Sequence, residues 1–120
     1  MANNILELPP NELLIYLQKN YSIEIPKTIE CSEDLVKAGK IIGKITGYYS
    51  FLMAAYMEAK LNVRLAKQEK MPKEIIATYI DKRDVLKEYS DILKMQYTSI
   101  SRMIAIKKQV DEELKMLNLQ

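Results

Sequence analysis

The sequence predicts an all-α protein: a long antiparallel helical hairpin, coiled-coil-like, with a short amino-terminal helix and the makings of a dimeric bundle. Three observations carry this. The 120-residue chain has only 3 Gly and 4 Pro, and its abundant Lys, Glu, Leu, Ile and Met suit helix interiors. Apolar residues recur at heptad positions through two long stretches. One proline, Pro72, separates those stretches, and neither Gly nor Pro follows it.

The elements follow in order. Pro9 and Pro10 suit a helix start, and Leu13, Leu14, Leu17 and Tyr21 run down one side, so a short helix is expected over about residues 10–20. Ile23 and Ile25 alternate before Pro26 stops any ladder or helix, which predicts an extended connector or an isolated short strand. Ser32 reads as an N-cap, with Glu33 and Asp34 placing negative charge where the helix dipole favours it. From Leu35 the seam is Leu35, Ala38, Ile42, Ile45, Tyr49, Leu52, Tyr56, Ala59, Val63 and Ala66, one helix over about 33–69. A second, over about 72–117, carries Ile75, Tyr79, Leu86, Tyr89, Leu93, Ile100, Met103, Val110, Leu114 and Leu117, interrupted by Lys82, Gln96 and Lys107. A very short turn must fold the two back on each other. Residues 1–31 thus form an amino-terminal helix and connector, and 32–120 the hairpin.

Within the first long helix lie all the glycines, Gly39, Gly43 and Gly47, continued by Ser50 and Ala54 as a stripe beside the seam. Each interior glycine costs a helix roughly 1 kcal/mol relative to alanine. Close approach of another backbone would recover that cost, so the stripe is expected to be an interface. Its occupant is the amino-terminal helix, a second copy of the chain, or a ligand or nucleic acid; a kink is the remaining possibility. Ile41, Tyr48, Phe51 and Met53 make the same stretch apolar nearly all round, which requires a third element to cover it.

Composition narrows the chemistry. There is no histidine and one cysteine, Cys31, so the usual zinc, haem and nucleophile constellations are missing, and no enzyme, cofactor, metal or small-molecule substrate is expected. The acids Asp81 and Asp84, Glu88 and Asp91, and Asp111 to Glu113 lie at helical spacing from Lys and Arg and read as solvated ion pairs. Residues 1–8 have no secretory pattern, and no apolar run approaches the ~20 residues of a membrane span. A cytoplasmic protein is expected. Net charge is +2, but residues 1–36 hold two basic and six acidic residues, and the remainder sixteen basic and ten acidic.

Two windows lack acids: Leu35 to Met57, with Lys37, Lys40 and Lys44, and Ile92 to Val110, with Lys94, Arg102, Lys107 and Lys108. In the hairpin these windows lie side by side, and their charges are expected to form one phosphate-binding patch, aided by Tyr48, Tyr97, Ser99 and Ser101. A second basic row, Lys60, Arg64, Lys67, Lys70 and Lys73, surrounds the tip. An ordinary solvated face is the competing reading, since +2 is low for a nucleic-acid binder.

The stretch GYYSFLMAAYMEAKLNVRLAKQEK, followed after the turn by LKMQYTSISRMIAIKKQVDEELK, resembles small all-helical proteins from the replication and recombination regions of phages and prophages of Gram-positive bacteria. The resemblance rests on an aromatic, alanine-rich first helix ending in Glu-Ala-Lys and on Ile100-Ser101-Arg102 in the second, and covers about residues 32–117. It implies an accessory protein acting near phage DNA, in the cytoplasm of a bacterial host, with DNA or a DNA-metabolism protein as partner. The alternative is a protein-binding inhibitor of a host or anti-phage defence enzyme.

Overall fold

The computed structural model describes residues 5–119; residues 1–4 and 120, which the expected segments include, lie outside the described residues. It is all-helical, with α1 at Pro10–Asn20, α2 at Ser32–Gln68 and α3 at Lys73–Leu119, and no strand among the described residues. The connector between α1 and α2 is extended but unpaired. Helices α2 and α3 pack antiparallel as a rod with extents of 73 × 23 × 20 Å. Its long axis is set by α3, whose 47 residues span about 70 Å.

Helix α2 starts one residue earlier than its sequence suggests. Cys31, not Ser32, is the N-cap residue. One Asp34 carboxylate oxygen accepts the backbone N–H groups of Glu30 at 3.0 Å and Cys31 at 3.4 Å, so the loop closes on an acid three positions past the cap. These N–H bonds, that from Glu30 foremost, hold the Asp34 carboxyl below its ordinary value.

The tip is a Schellman turn made without glycine. The N–H of Met71 donates to the Ala66 carbonyl at 3.0 Å and that of Lys70 to the Lys67 carbonyl at 3.1 Å. Lys70 takes the left-handed conformation, φ 54°. Pro72 cannot extend α2, and its carbonyl accepts the N–H groups of Ile75 and Ile76 to start α3.

The core lies along the middle of the predicted seam; Ile75 near the tip is exposed, and so are Val110, Leu114 and Leu117, expected in the seam but lying at and past the start of α2, where α2 does not cover them. Ala38, Ile45, Leu52, Ala59, Val63 and Ala66 of α2 and Leu86, Tyr89, Leu93 and Ile100 of α3 are buried. Leu13 and Leu17 of α1 are fully buried and join this core with Ile5 and Leu6. Beyond Lys107 every described side chain is exposed, because α3 is ten residues longer than α2 and overshoots its start.

The glycine stripe faces away from the core. A Cβ at Gly39, Gly43 or Gly47 would meet nothing within 4 Å, and Ser50 and Ala54 are exposed. The expected filling of this stripe by the amino-terminal helix does not occur, because α1 packs against α3.

Gly43→Ala should stabilise the chain by about 1 kcal/mol, since space is free and helix propensity improves; Lys70→Gly should do likewise by relieving a left-handed backbone. Thermal denaturation should show Tm rising in both, and a fall for Gly43→Ala would mean that the stripe meets another chain. Asp34→Ala should lower Tm at neutral pH. Because the folded carboxyl titrates below its ordinary value, its contribution is present above the unfolded value and lost as pH falls through the folded one, so the two melting curves should converge in that acid range.

Candidate functional site

An antiparallel helix pair has two grooves, one on each side of its seam, and this molecule treats them differently. The first is filled. Tyr21 sits edge-on to Tyr48, with centroids 4.9 Å apart, and stacks on Phe51 at 5.6 Å and 13°. Burial first, and then the neighbouring Tyr16 and Tyr48, push the Tyr21 hydroxyl above its ordinary value. Lys82 Nζ donates to the Leu6 carbonyl at 2.7 Å and Gln96 Nε2 to that of Ile23 at 3.4 Å. These contacts string the amino-terminal segment along the groove; its described residues carry four acids, Glu7, Glu12, Glu24 and Glu30, and two bases, Lys19 and Lys27, with Glu24 beside Lys37 and Ile41.

The second groove is open. Ile45, Thr46 and Tyr49 of α2 face Lys94 and Tyr97 of α3 across a hollow in its floor. Nearer the tip, Lys60 Nζ stands 5.5 Å over the Tyr56 ring, a cation–π arrangement that holds the ammonium against the groove wall. Lys87 bonds Asp91 at 2.8 Å. That bond raises its ammonium above the ordinary value, with smaller contributions from Tyr56 and Tyr49 across the groove.

Helical spacing extends both walls. On α2 the flank reads Thr46, Tyr49, Met53, Tyr56, Lys60, Arg64 and Lys67; on α3 it reads Arg83, Lys87, Ser90, Lys94, Tyr97 and Ser101. The adjoining acids Asp84 and Asp91 are bonded to Arg83 and Lys87. The groove is therefore lined by cations and tyrosines, while the carboxylates of the amino-terminal segment lie on the far side of the rod.

This differs from the single patch expected of the two acid-free windows. Lys37 and Lys44 share a stripe with Ile41, Tyr48 and Phe51, the filled flank, and Lys37 lines a hollow with Glu24 and Asp34. Lys40 stands beside Val36 and Lys37 at the outward start of α2. Arg102 faces outward beside Met95, Thr98 and Ile106, and Lys107 lies on the connector side, in a hollow with Lys27, Ile29 and Met103. Only Lys94 of the seven lines the open groove; Lys108 stands on the same flank of α3 but out at the start of α2. The windows do run side by side, but the angle of each residue around its helix, and the groove taken by the amino-terminal segment, separate the charges. Tyr49, Tyr56 and Lys87 were legible only as seam or surface residues. Their joint spacing with Lys60 and Lys94 was the available signal.

Among the described residues no three His, Cys, Asp or Glu side chains come together as a metal site, and no helix is long and apolar enough to cross a membrane. Neither a family model, nor a curated protein, nor a solved structure matches the chain.

Proposed function

We propose that the chain is a non-enzymatic nucleic-acid-binding protein, an accessory factor of phage DNA metabolism, that takes single-stranded nucleic acid along the open groove. The observation behind this reading is the alternation of Lys60, Arg64, Lys87 and Lys94 with Tyr49, Tyr56 and Tyr97 along one groove, opposite an acidic cover. The cations attract phosphates and release their counterions. Tyrosine rings at the rim offer bases a stacking surface that does not depend on sequence. Tyr97, 44% exposed, is the most accessible of them. The acidic segment in the opposite groove repels a second strand there and so orients the ligand to one side. The resemblance to small proteins of phage replication regions agrees with such a role.

Binding of a short oligonucleotide should weaken steeply with salt, log affinity falling by about 0.7 for each phosphate contacted per unit of log salt. Replacing Lys60, Arg64 and Lys94 together by Glu should abolish the gel shift with helicity unchanged, whereas replacing Lys37, Lys40 and Lys44 should leave most of it. Tyr97→Ala should cost about 1–3 kcal/mol of binding. Absence of a shift for the unaltered chain at low salt would overturn the proposal and favour an inhibitor that docks on a host or defence enzyme.

A further inference from the structure

Helix α3 carries apolar residues that the hairpin does not use. Ile92, Met95, Ser99, Met103, Ile106, Val110, Leu114 and Leu117 recur at three- and four-residue spacing down one stripe, with no charged residue among them. Apart from half-buried Met103 and the small Ser99, their exposure runs from 42% at Val110 to 72% at Met95. The stripe borders the amino-terminal connector, with Ile29 beside Met103 and Ile106; along its other edge Met95, Ser99, Met103 and Ile106 share a hollow with Asp91, Lys94 and Arg102, and Lys94 also lines the open groove.

We infer that this stripe is the contact between two copies of the chain, paired antiparallel about a two-fold axis. Self-complementarity is the first reason. The spacings 3, 4, 4, 3, 4, 4, 3 read the same in both directions. A two-fold axis between Ile104 and Ala105 therefore sets Ile92 against Leu117, Met95 against Leu114, Ser99 against Val110 and Met103 against Ile106 of the second copy. An isologous interface requires such a pattern.

Area is the second reason. The stripe is about 38 Å long. Its seven large side chains, each offering on the order of 100 Å², together approach the roughly 800 Å² per partner of a standard interface. Continuity is the third. The stripe runs past Ser32, where α2 begins, into the overshoot of α3, and only another chain can cover both stretches together. Charge selects the direction. Parallel pairing would place Asp111, Glu112 and Glu113 of both copies side by side, whereas antiparallel pairing sets them opposite the neutral Gln96, Tyr97 and Thr98.

Sedimentation equilibrium tests this. The unaltered chain should show twice its 13.9 kDa, and the double variant Met95→Glu, Ile106→Glu should show the single mass with an unchanged helical circular dichroism spectrum. Both positions are exposed, so the fold is expected to survive. The control Met57→Glu, Leu61→Glu, on the outward face of α2, should remain dimeric. The register is tested in a Cys31→Ser background: a mixture of Ser99→Cys and Val110→Cys chains should form mixed disulfide-linked dimers on oxidation, in preference to self-linked ones. A monomeric unaltered chain, a dimer that survives the α3 variant or is dissolved by the α2 control, or predominantly self-linked products would each overturn the inference.

Discussion

The antiparallel seam between α2 and α3 is the constraint on which everything else rests. Ala38, Ile45, Leu52, Ala59 and Ala66 on one side meet Leu86, Leu93 and Ile100 on the other, and the alanines let the two helices approach closely over most of the length of α2. Each fully buried Leu or Ile contributes roughly 1.5–3 kcal/mol, and that sum keeps long helices folded in water. The register is fixed at one end by a turn in which Lys70 accepts a left-handed backbone and Pro72 ends one helix while supplying the first acceptor of the next.

A pair of helices cannot cover its own sides, and the amino-terminal segment meets half of that requirement. Leu13, Leu17 and Tyr21 occupy one groove, and the anchors from Lys82 and Gln96 to backbone carbonyls set where the segment lies. The rod thereby becomes asymmetric in packing and in charge. One groove is filled and fringed with carboxylates; the other is open, basic and lined with tyrosine. Charge segregation of this kind suits a chain whose net charge is only +2, because a polyanion responds to the local field of a groove more than to the total.

Two exposed stripes remain on the outward faces of the helices, and they are not equivalent. That on α2 is built around three glycines with nothing near them; that on α3 carries large apolar side chains whose spacing is symmetric under reversal. Burial of apolar area drives association more strongly than the close approach of small residues does in water, so α3 is the face that has most to gain from a partner. Pairing there would leave the Tyr49 and Tyr97 side of each groove open and bring Lys94, which lines both the groove and the hollow beside the stripe, to the edge of the interface.

The sequence by itself determined the helices, their ends to within a residue or two, the hairpin and the central part of its seam, from Ala38 to Ala66 and from Leu86 to Ile100, because heptad periodicity, prolines and caps act through neighbours close in the chain. Val110, Leu114 and Leu117 keep the period but lie where α2 begins or beyond it, and stay exposed. Ser32 lies inside the helix because the Asp34 carboxylate, three residues past Cys31, accepts the N–H groups of Cys31 and Glu30 and sets the start one residue earlier. Which lysines share a surface was not legible in that way. Lys44 and Lys94 stand in adjacent windows but on opposite flanks, and only the seating of Tyr21 between Tyr48 and Phe51 decided which groove is closed and which is open. The glycine stripe shows the same limit: spacing marks it as a place where a backbone can come close, whereas whether one does depends on where α1 finds its larger apolar surface, which is on α3. Local periodicity records the angle of a residue around its own helix; the side from which a third segment packs is decided by the sum of contacts it makes far along the chain.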